Sequence, residues 1–69
     1  MVFMDIPFTI KCLREAGLTQ TQIGKEIKLS QASVSDMEAG KAGIKRPTYQ
    51  VINGLERLAK KHKVQTTPP

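Results

Sequence analysis

Between Gln20 and Ala39, two apolar pairs of helical spacing, Ile23/Ile27 and Val34/Met37, leave room between them for nothing longer than a tight turn. Two short helices so joined must pack closely, and one needs a residue with almost no side chain where they meet. Gly24 supplies it. Ile23, Ile27, Leu29, Val34 and Met37 are expected to form the shared apolar underside. Gln31, Ala32, Ser35 and Asp36 then fall at i, i+1, i+4 and i+5, a small or polar stripe opposite that underside. A helix of this kind can lie in a DNA major groove with its first residues against base edges.

The flanking chain reads as further helix. Asp5 can cap a helix from about Ile6 to Ala16, with Pro7 tolerated in the first turn, Ile6, Ile10 and Leu13 as its stripe and Gly17 as its end. Thr19 with Gln22 has the spacing of a capping box for the second helix, and Ser30 caps a third over Gln31 to Glu38, stopped by Gly40. Lys41 to Arg46 is expected as a loop anchored by Ile44. After Pro47, Thr48 caps a helix from about Tyr49 to His62, with Val51 or Ile52, then Leu55, Leu58 and Ala59, facing inward and Asn53-Gly54 as a weak spot. The fold expected is all-α, a compact bundle of four short helices, or five. It forms one domain over residues 1–63, with 64–69 a disordered tail.

Charge is informative by its placement. The net +5 arises entirely beyond Gly40, where seven basic residues meet only Glu56; residues 1–19 balance and 20–40 carry −1. A basic excess suits an anionic partner, nucleic acid first. One cysteine forms no internal disulfide, and neither Cys12 nor His62 has partners at catalytic or metal-binding spacing, so no enzyme, metal or cofactor is expected. No apolar run approaches the length of a membrane span.

The run from Gly17 to Lys41 resembles the helix-turn-helix of the lambda-repressor-like family, which includes phage Cro and cI proteins and XRE-type regulators. The resemblance is carried by Leu18-Thr19-Gln20, the small Gly24, Ser30-Gln31, Val34-Ser35 and Glu38-Ala39-Gly40-Lys41, with Lys45-Arg46-Pro47 leading into the fourth helix. It covers about Ile6 to Leu58. It implies a cytoplasmic, bacterial or phage-encoded transcriptional regulator, a repressor of Cro or cI type, that binds double-stranded operator DNA, palindromic in sequence, as a homodimer at least on DNA. Three departures stand out. Lys28 occupies the turn position where the family usually has Gly, the 41–47 loop is slightly longer than usual, and the fifth helix that often serves dimerisation has no counterpart. A dimer surface would fall to Val2, Phe3 and Phe8, or to the last helix.

Each exposed residue of the motif has a candidate role. Gln31 can pair with adenine through both amide atoms. Ala32 either touches a thymine methyl or fills a helix position, and Ser35 reaches a base or a phosphate. Asp36 either accepts from cytosine N4 or pairs with a nearby lysine. Gln20, at a helix start, and Lys28, Lys41, Lys45, Arg46 and Thr48 are the phosphate candidates. Lys60, Lys61 and Lys63 read either as a basic arm or as a solvated helix end. Glu38 is expected to pair with Arg14. The alternative reading is an antitoxin or adaptor module that uses the same fold to bind protein.

Overall fold

The computed structural model describes residues 4–41 and 48–68, and these form four helices with no strand among them. Helix α1 spans Ile6–Glu15, α2 Gln20–Ile27, α3 Gln31–Glu38 and α4 Tyr49–His62. Every start has a side chain that takes up an otherwise unpaired N–H. Asp5 Oδ1 accepts from Phe8 N–H (3.0 Å), Ser30 Oγ from Ser33 N–H (3.2 Å) and Thr48 Oγ1 from Val51 N–H (3.3 Å). At α2 the capping box closes both ways: Gln22 N–H donates to Thr19 Oγ1 and Thr19 N–H to Gln22 Oε1. Gly17 ends α1 at φ +108 and Gly40 follows α3 at φ +75.

Helix α2 packs against α3 and α4, and α1 packs against the same two. Ile10, Leu13, Ile23, Ile27, Val34 and Leu55 are fully buried between them. Removing one such aliphatic side chain from water contributes about 1.5–3 kcal/mol, so this small core depends on every member. Val51 is buried and Ile52 half-buried, which settles which of the two leads the α4 stripe.

Three expectations need correcting. Leu29 does not join the underside; it is 40% exposed. Lys28 before it is left-handed (φ 60, ψ 42), so the chain leaves the helical path and carries the Leu29 side chain off the apolar stripe. Gly54 is a crossing point rather than only a weak spot, because a Cβ there would stand 2.7 Å from Ile27 Cγ2 and 3.0 Å from the Glu26 carbonyl oxygen. Lastly, residues 64–66, expected within a disordered tail, are docked. Val64 packs against the core, and the Thr66 carbonyl accepts from Asp5 N–H (2.8 Å) and from the buried Thr9 hydroxyl (3.1 Å). Backbone donors at a helix start need partners, and this returning stretch of chain provides one.

Candidate nucleic-acid interface

The turn that presents α3 is built on Gly24. Its carbonyl accepts from both Lys28 N–H and Leu29 N–H, and a Cβ on it would lie 2.5 Å from the Leu29 carbonyl oxygen. Glycine is therefore required where the turn folds back over α2, rather than where the body of α3 crosses it. Ser30 then starts α3, whose inner face sinks Val34 and Met37 into the core.

On the outer side Gln31, Ala32 and Asp36 are exposed and Ser35 is half-buried. Gln31 is not a free-swinging side chain. Arg14 Nη1 donates to Glu38 Oε1 (2.8 Å), as expected, and Gln20 Nε2 donates to the same oxygen (3.1 Å). Gln20 Oε1 in turn accepts from Gln31 Nε2. The direction of this relay is fixed by chemistry. Arginine only donates and a carboxylate only accepts, so Gln20 must turn its NH₂ to Glu38 and its oxygen to Gln31. Gln31 must then commit one N–H to Gln20. Its second N–H and its carbonyl oxygen remain, the pair needed for adenine N7 and N6.

The pairing of Gln20 with Gln31 is not visible from sequence, which points Gln20 to phosphate alone. The signal is that both open a helix, 11 residues apart across one tight turn. Lys11 also escapes a reading of the sequence. It sits one turn before Arg14 on α1 and, with Gln20, Ser35, Glu38 and Ala39, lines a recess of about 240 Å³. Among the described residues Asp36 makes no ion pair, which favours neither of its two candidate roles.

Helix α3 itself holds Asp36 and Glu38 and no cation, so the phosphate candidates come from the chain before and after it. Lys28 is exposed just before it, and Lys41, also exposed, comes after it with its N–H on the Asp36 carbonyl (2.8 Å). Thr48 is the α4 cap; its oxygen is engaged by Val51 N–H while its hydroxyl proton stays available. Lys45 and Arg46 lie outside the described residues, as do Ile44, Val2 and Phe3. Arg57 of α4 pairs with Glu26 of α2 (3.1 Å) at the solvent-exposed surface. No helix among the described residues is long and apolar enough to cross a membrane.

No match to a curated protein or to a solved structure was found. The family model described as helix-turn-helix matches residues 10–62, from within α1 to the last residue of α4. That span holds the capped α2, the glycine-backed turn and the outward-facing α3 in sequence, and the chain belongs to the lambda-repressor-like helix-turn-helix family of DNA-binding regulators.

Proposed function

We propose that this protein is a sequence-specific repressor that places α3 in the major groove of an operator and reads adenine with Gln31. The observation that carries the reading is the relay from Arg14 through Glu38 and Gln20, which orients the Gln31 amide and leaves one donor and one acceptor for a base. A side chain already held in place loses less entropy on binding than a free one. Ala32, Ser35 and Asp36 are the other base-facing residues. Gln20, Lys28, Lys41, Lys45, Arg46 and Thr48, joined by Lys11, hold phosphates on either side.

The neutralised phosphates make affinity fall steeply with salt. A recognition surface this small reads few bases, so specificity calls for two copies on a palindrome with half-sites about 34 Å apart. The protein acts as a homodimer on DNA, in the cytoplasm where the operator is.

Selection from random duplexes tests this directly. A recovered palindrome containing adenine at a fixed place in each half-site is expected. Gln31→Ala is expected to flatten the preference at that place alone, by about 10- to 100-fold. Recovery of no preferred sequence, together with retention of a protein partner by the Gln31→Ala variant, would instead favour the adaptor reading, to which the acidic, cation-free α3 also lends itself.

A further inference from the structure

The chain just past α4 does more than end it. Lys63 is left-handed (φ 56, ψ 45), and its N–H and that of Val64 both donate to the Ala59 carbonyl. The chain is thereby turned back along the bundle. Val64 packs on the core and the Thr66 carbonyl meets the first turn of α1. The N–H of Asp5, a cap residue with no helical acceptor of its own, is taken up there at 2.8 Å. The hydroxyl of Thr9, fully buried, is shared between the Asp5 carbonyl (2.7 Å) and the Thr66 carbonyl (3.1 Å).

We propose that residues 63–66 form a spring-loaded latch, held shut by the Thr66 carbonyl on Asp5 and Thr9 and strained open by the left-handed Lys63. A lysine disfavours this backbone conformation, whereas right-handed geometry at Lys63 lets α4 simply continue. On release Val64 N–H leaves the Ala59 carbonyl, α4 lengthens into a frayed turn whose amides are open to water, and the start of α1 loses its anchor. Pro68 bounds the extension, because Thr67 before it is driven from the helical region, so the open α4 ends by about Thr66. The closed form has the Thr66 bonds and the burial of Val64; the open form has an unstrained backbone. The two therefore compete within one short segment while α2, α3 and the remainder of α4 stay packed. The latch does not depend on the DNA-binding reading, since it touches none of the residues assigned to it.

Native-state hydrogen exchange on the full chain, resolved by residue, tests the latch. Asp5 and Val64 amides are expected to be protected, to share one opening equilibrium, and to exchange faster than the Val34 amide with little dependence on low urea. Lys63→Gly, which removes the strain, is expected to slow both by about threefold. Thr9→Val, which keeps the shape and deletes the hydroxyl, is expected to speed both by about three- to tenfold. An unprotected Asp5 amide, different opening equilibria for Asp5 and Val64, or exchange of both only together with Val34 would each overturn the latch. So would a Lys63→Gly protein in which neither amide slows.

Discussion

Helices α2 and α4 end in the same way and lead to different places. Lys28 and Lys63 share a left-handed backbone, and in each case the lysine N–H and the next residue's N–H converge on one carbonyl four residues before the lysine. That carbonyl belongs to Gly24 in α2 and to Ala59 in α4. The onward course of the chain separates them. After Lys28, Ser30 caps a new helix within two residues, so the chain must double back hard enough to bring the Leu29 carbonyl against Gly24. After Lys63 no helix starts among the described residues; the chain runs on to α1, and the alanine methyl at the equivalent position is accommodated and buried. The left-handed residue turns the chain in both places, and the distance to the next cap decides how tightly.

The sharpest way to break this comparison is to give α2 a side chain where α4 carries one. Gly24→Val puts a Cβ and two further carbons where the Leu29 carbonyl already stands 2.5 Å from an added Cβ. Backbone forms that wall and cannot step aside, so a loss of about 3 kcal/mol in urea unfolding is expected, the upper range for overpacking. Ala59→Gly at the α4 end is expected to cost the helix propensity and the burial of one methyl, together about 1–2 kcal/mol. Comparable losses at the two positions would show that the turns are equally tight and that Gly24 is not what the α2–α3 junction requires.

The contrast also explains which features a reading of the sequence reaches. Helix starts are legible because their signals are local and carried by side chains: Asp5, Thr19 with Gln22, Ser30 and Thr48 each cap within three residues. The face of α3 is legible because burial of Val34 and Met37 dictates which residues point away. Lys63 gives no warning, since a lysine carries none of glycine's preference for the left-handed region. The docking of residues 64–66 is hidden for a deeper reason. It uses the carbonyl of Thr66, a group every residue has, so no residue type announces it. The Gln20–Gln31 contact and the close approach of Gly54 to Ile27 join separate helices, and only the packed fold brings them together.

A smaller effect is expected at the relay that α2 and α3 share and the α4 end lacks. Glu38→Ala removes the acceptor of both Arg14 and Gln20. Its carboxylate and the Arg14 guanidinium are partly solvated, at 22% and 39% side-chain exposure, so screening holds the stability loss to about 1 kcal/mol. The sharper readout is recognition. With Gln20 unanchored, Gln31 has nothing to set the direction of its amide, and discrimination at the adenine is expected to weaken while overall affinity at low salt changes little. Binding isotherms on the selected site and on a single-base variant would check it; unchanged discrimination would mean that the relay only braces the fold.

The finest distinction lies between the two lysines themselves. Lys28→Gly and Lys63→Gly each remove a left-handed side chain, and each is expected to raise stability by about 0.5–1 kcal/mol, read as a higher thermal midpoint. Their effects on DNA binding should part. Lys28 is exposed immediately before α3, so its loss is expected to weaken binding across all sequences alike and to lower the salt slope by about 1, the signature of one phosphate contact. Lys63 sits in the turn that sends the chain toward α1, and its replacement is expected to leave the slope where it was. If both substitutions lower the slope equally, the cations of the α4 end also lie along the DNA, and the functional half of the contrast between the two helix ends fails even where the structural half stands.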